Sequence, residues 1–238
     1  MKKLILILAM ISCTVSMTAQ QMQYHLDDNS HLLTRITVKG DYWNMNWLIS
    51  PDGKKYPWID KKYQWGNMKN EVPQGLYRVA IQTSVRRWFQ GHNIVEEYTI
   101  ENLSDIPVDM AMMRICTPWN ARYLAADTVT TVRCSVQVLT KEDGNTATGV
   151  KATRLSGQGP HVGLMVTKGA IGNYVTGDCD DLSMNSQCGV MWIIPEHYML
   201  KPKKKYVMQW HIFAYKDTEE FIWKAKKITG SKTVLNVK

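Results

Sequence analysis

Apolar and polar residues alternate along most of this chain, and the dominant period is two. In residues 42–49, Trp43, Met45, Trp47 and Ile49 fall on one side and mainly polar residues on the other, which predicts a half-buried strand. Pro51-Asp52-Gly53 then supplies turn chemistry, and Pro57 marks residues 56–59 as an edge or a loop. From Gly75 onward the pattern reads as hairpins. A strand over 76–85 is followed by a break at Gly91-His92-Asn93, a strand over 94–101, a turn over 102–107, and a strand over 108–115 returning antiparallel to it. Residues 130–139 and 148–155 form another hairpin across a loop containing Asp143-Gly144, a pair that favours positive φ. Further strands are predicted over 162–167, 189–194 and 205–215. Helical spacing comes only near the end: Asp217 or Thr218 caps 219–227, with Phe221, Ala225 and Ile228 on one stripe.

About ten or more strands, one short helix and no strand–helix alternation predict an all-β fold, an antiparallel β-sandwich with a short C-terminal helix. The N-terminus stands apart. Lys2 and Lys3 precede an apolar run over 4–11, then come the small residues Ser12, Thr14, Ser16, Thr18 and Ala19. That is the order of a secretory signal, too short to span a bilayer. The expected organisation is a signal peptide over 1–19 and a single β-sandwich domain over 20–238, in the periplasm or secreted, with no membrane span; cleavage after Ser16, which fits the small-x-small rule better, and a lipoprotein acylated at Cys13 are the alternatives.

Charge narrows the partners. The formal net charge of +8 falls by two when Lys2 and Lys3 leave with the signal, and the remaining basic residues are scattered except for the run at 201–205. Nucleic-acid binding would need a basic stripe with a matching motif, so no nucleic acid is expected as partner. An acidic glycan suits a mildly basic surface better. Nine Trp and eleven Tyr against three Phe fit half-exposed sheet faces and ligand platforms as well as cores. No cofactor motif is present, and no CxxC or HxxxH pair suggests zinc. Asp178, Asp180 and Asp181 lack calcium-loop spacing and read as a solvated loop. Four cysteines remain after cleavage, and the loop between Cys179 and Cys188 is short enough for a disulfide to tie, with free thiols the equal alternative.

Four segments carry a family resemblance: Ile94-Val95-Glu96-Glu97-Tyr98-Thr99-Ile100-Glu101-Asn102, Cys116-Thr117-Pro118-Trp119-Asn120, Gly159-Pro160-His161-Val162-Gly163-Leu164-Met165-Val166-Thr167-Lys168-Gly169, and Lys205-Tyr206-Val207-Met208-Gln209-Trp210-His211-Ile212-Phe213. In this order they resemble the N-terminal β-sandwich, of super-sandwich type, that precedes the (α/α) barrel in secreted polysaccharide-degrading enzymes such as glucuronate lyases. The chain departs from that pattern at Pro202-Lys203-Lys204, where the family has Pro-Gly-Glu. The resemblance implies a helical barrel after the sandwich, whereas this sequence stops at Lys238. The barrel's acids and bases are therefore expected on a separate catalytic domain.

Within the chain, Trp119, Asn120, Arg122 and Tyr123 form the most ligand-like cluster, an aromatic platform beside an amide and a guanidinium. The competing reading is that Trp119 plugs one end of the sandwich. His161 can meet an acidic sugar or bond to the backbone of its own turn, and Arg87 can serve a ligand or end a strand. No catalytic constellation stands out. The expected function is an exported, non-catalytic module in polysaccharide processing, binding a glycan or packing on a catalytic barrel. A small carbohydrate-active lyase or hydrolase and a structural remnant of a longer enzyme are the alternatives.

Overall fold

The computed structural model describes residues 20–28, 33–48, 64–71, 79–121, 130–140, 147–176 and 190–230. Among them are fourteen strands and one helix: β1 (Met22–Leu26), β2 (Leu33–Val38), β3 (Met68–Asn70), β4 (Ile81–Gln90), β5 (Asn93–Asn102), β6 (Val108–Asp109), β7 (Met113–Pro118), β8 (Cys134–Thr140), β9 (Ala147–Arg154), β10 (His161–Lys168), β11 (Ile171–Thr176), β12 (Val190–Pro195), β13 (Met199–Leu200), β14 (Lys205–Tyr215) and α1 (Thr218–Thr229). Ten strands join one antiparallel sheet in the order β3-β7-β12-β11-β9-β10-β14-β5-β4, with β8 paired to β9 off that path. The hairpin β1–β2 and the short pair β6–β13 stand outside it. The fold is an all-β sandwich.

The sheet must curl. β7 and β5 are six steps apart along it, about 29 Å if flat at roughly 4.8 Å per step. Yet Gly66 N–H donates to the Cys116 carbonyl on β7 at 2.8 Å, while the neighbouring Trp65 Nε1 donates to Glu96 on β5 at 2.8 Å. One dipeptide reaches both strands, so the two ends of the sheet face each other across a shared interior. That interior collects alternate residues from each half, including Ile115 and Ile193 on one side and Ile94, Tyr98, Trp210 and Ile212 on the other. Met22, Ile36, Met45 and Trp47, from β1, β2 and the segment after them, fill it from one end.

The outer face of β10 and β14 carries a second, smaller core under α1, where Phe213, Tyr215 and Met165 meet Phe221 and Ala225. The helix starts where Asp217 accepts from Glu220 N–H at 2.8 Å, satisfying an otherwise free first-turn donor, and it ends at Gly230 in the left-handed region. Glu219 and Glu220 in the first turn and Lys226 and Lys227 in the last complement its dipole.

Two sequence expectations give way. Residues 42–48 are a folded-back segment in which Met45 and Trp47 are buried, Trp43 is substantially exposed, and only Leu48 makes a bridge, to Trp119. The physical reason is Asp41: its carboxylate accepts from the backbone N–H groups of Trp43 and Met45 at 3.2 and 3.1 Å, turning the chain where a strand would run straight. Residues 108–115 are broken by a 3₁₀ turn at Met110–Met112, nucleated when Asp109 accepts from Ala111 N–H. The following β7 pairs with β3 and β12, while β5 takes β4 and β14 as partners.

Gly163 on β10 sets how closely α1 approaches the sheet, since a Cβ there would stand 2.6 Å from both the Phe213 ring and the Phe221 ring. Gly163→Ala is expected to destabilise the fold by about 1–3 kcal/mol through overpacking. A fall in the urea midpoint at unchanged m-value checks it.

Candidate functional site

On the interior face, β4 and β5 place Arg87 opposite Glu96. Glu96 is completely buried, and its carboxylate is surrounded by donors. Arg87 Nε pairs with Oε1, while Oε2 accepts from Trp65 Nε1 at 2.8 Å, Trp210 Nε1 at 2.7 Å and Tyr98 Oη at 3.1 Å. Burial opposes the Arg87 charge, but Glu96 and Tyr98 outweigh it and raise the guanidinium above its ordinary value. Burial, and then the Glu96 charge, push the Tyr98 phenol well up, so it stays a neutral donor. Gly66, at φ +82°, allows the loop to close on this hub, because a Cβ would lie 2.6 Å from Arg87 Nη2 and 2.9 Å from Tyr98 Oη. Arg87 is thus occupied inside the sandwich.

Trp119 is fully buried, packed edge-on against Trp65 with ring centroids 5.0 Å apart, and it presents no indole face to solvent. Asn120 ties its own segment to two others: its Nδ2 donates to the carbonyls of Asn46 and Val132, and its backbone carbonyl accepts from Cys134 N–H. Arg122 and Tyr123 lie outside the described residues, as do Cys179 and Cys188. Cys116 and Cys134 are free and buried, and burial pushes both thiols well up.

His161 is also buried, beside a second interior ion pair. Its Nδ1 accepts from Arg154 N–H at 3.1 Å, and the Arg154 guanidinium meets the Asp41 carboxylate at 2.6 Å while lying over Trp47. Burial first, then the charges of Arg154 and Lys151, hold His161 below its ordinary pKa, which keeps it neutral with the proton on Nε2. Arg87, Asn120, Trp119 and His161 therefore do not converge on one surface. Each joins strands or loops within the sandwich, and none of them has solvent access enough to meet a large substrate.

A surface groove lies elsewhere, at the outer edge of α1. It encloses about 380 Å³ between the β4–β5 turn, residues 90–93, and the helix side chains Trp223, Lys224, Lys227 and Ile228, with His211 of β14 at its base. Trp223 is 58% exposed, and Lys227 Nζ sits 5.1 Å from its ring centroid. Sequence reasoning did not single out this groove. The available signal was a tryptophan outside the apolar stripe of an amphipathic helix. Among the described residues no group of three or more His, Cys, Asp or Glu is arranged to hold a metal ion.

No family model matches the chain, and no curated protein does. Among solved structures, a polysaccharide lyase superposes with a TM-score of 0.74 at 26% identity, covering 90% of this chain and 35% of that one. The chain shares the fold of a carbohydrate-active enzyme. It spans about a third of that lyase's length. A galactose mutarotase related enzyme from Lactobacillus acidophilus matches at a TM-score of 0.44 and 9% identity, covering 84% of this chain and 96% of that one, a likeness too distant to support any argument.

The depressed His161, together with His211, which burial also holds low, gives a pH signature. The unfolded chain takes up protons near pH about 6.5 while the folded chain resists, so the stabilisation is complete above that value and is lost as pH falls through it. Thermal midpoints are expected to drop between about pH 7 and 5, and His161→Asn, which retains an acceptor for Arg154 N–H, should flatten that slope. An unchanged slope in a pH series of melts would remove His161 from this role.

Proposed function

We propose that this chain is an exported, non-catalytic β-sandwich module that holds a glycan during polysaccharide processing, alongside a catalytic domain supplied separately. The observation that carries this reading is the likeness to a polysaccharide lyase over 90% of the chain. That likeness extends over 35% of the lyase. The interior chemistry supports the non-catalytic half of the reading. Glu96, Arg87, Asp41, Arg154 and His161 are each committed to buried pairs or backbone bonds. A lyase needs a base and an acid exposed to the same sugar, and these groups face the core instead.

Titration calorimetry of the chain with neutral and uronate-containing oligosaccharides tests this. Saturable heat is expected with at least one of them, together with a flat absorbance trace for unsaturated products when the parent polysaccharides are incubated with the protein. Accumulating unsaturated ends would make the chain an enzyme, and absence of heat across the panel would remove the glycan from the account.

A further inference from the structure

We propose that the groove between α1 and the β4–β5 turn is the glycan site and that it takes an acidic sugar, a hexuronate unit stacked on Trp223 with its carboxylate at Lys227. This inference rests on the glycan-module reading above and adds the place and the ligand class.

Three observations converge on it. The first is the position of Trp223. The helix buries Phe221 and Ala225, and Ile222 and Ile228 pack against the same small core, so α1 does not need Trp223 for its own packing. A large aromatic on the solvent side of an amphipathic helix is out of place for stability and well suited to the apolar face of a sugar ring.

The second is charge. The lining contains Lys224 and Lys227 and no carboxylate. Lys224 is already engaged, with Glu220 at 2.9 Å and the Ala214 carbonyl at 2.7 Å. Lys227 has no carboxylate partner among the described residues; its ammonium is held beside the Trp223 ring. A cation placed against an aromatic face, with no carboxylate paired to it among the described residues, matches a ligand with a carboxylate on a ring.

The third is unspent hydrogen-bonding capacity. His211 is only 6% exposed at the base of the groove, and its Nδ1 has no hydrogen-bond partner. A buried nitrogen left unsatisfied is costly, and a turn of the ring that brings it to the groove floor would let a sugar hydroxyl satisfy it. The amides of Gln90 and Asn93, paired across the end of the β4–β5 hairpin, add donors and acceptors on the opposite wall. The volume of about 380 Å³ lies within the range of small-ligand sites.

Trigalacturonate and its methyl ester serve as probes, the ester being the same sugar without charge. The full chain is expected to bind the acid more tightly than the ester and to show a shift of the His211 ring resonances on binding. Trp223→Ala should weaken binding by about tenfold or more, and Lys227→Gln should close the gap between acid and ester. Both side chains are exposed, so unchanged melting temperatures will show that the variants fold. Undiminished affinity in Trp223→Ala, or a silent His211, overturns the site and leaves the module reading intact. Equal binding of acid and ester by the unaltered chain overturns the acidic class. Failure of the unaltered chain to bind any oligosaccharide overturns the module reading and this inference together.

Discussion

A single buried carboxylate organises the sandwich. Glu96 has no exposed surface, and a carboxyl group in such a place is tolerable only when its oxygens are saturated with donors. Two donors are local, Tyr98 from β5 itself and Arg87 from the neighbouring strand β4, and two come from distant parts of the chain, Trp210 from β14 and Trp65 from the loop that also grips β7. Satisfying Glu96 therefore brings the two ends of a curled sheet together. Removing one charged partner would leave the other stranded, at a cost of about 3–5 kcal/mol.

Much of the fold was legible in the sequence, because strands buried on one face announce themselves by alternation. The 205–215 expectation coincides with β14, the 148–155 hairpin arm with β9, and the cap at Asp217 with the start of α1. The failures share a cause. At residues 42–48 and 108–115 the alternation was real, but an aspartate side chain competed for backbone N–H groups and turned the chain. Periodicity alone carries no record of such local competition. The strands β1, β2 and β11 were not predicted: Arg35 in β2 and Gly172 in β11 interrupt the apolar pattern, and β1, although it alternates, is only five residues long.

The candidate site was less legible. Arg87, Asn120, Trp119 and His161 attracted notice because their chemistry suits ligands, and that same chemistry suits buried polar joints in a sheet-rich interior. The better clue lay in Glu96, a charge set among Ile94, Tyr98 and Ile100 on the apolar face of β5, which signals an interior ion pair. The groove at α1 was hidden differently. Its walls come from residues near 90, 211 and 225, and each stretch by itself reads as an ordinary turn, strand or amphipathic helix. Only the curl of the sheet and the docking of α1 beside β14 place them together.

The molecule thus has an interior where ionisable groups hold the strands and a separate outer groove beside α1, the proposed site. A double-mutant cycle on Arg87→Met and Glu96→Gln, read by urea denaturation with glycan titration in parallel, tests that division most directly. The predicted result is a coupling of about 1.5–3 kcal/mol in stability with glycan affinity unchanged in every folded variant. Additive stability effects, or loss of glycan affinity in variants whose stability is preserved, would contradict it.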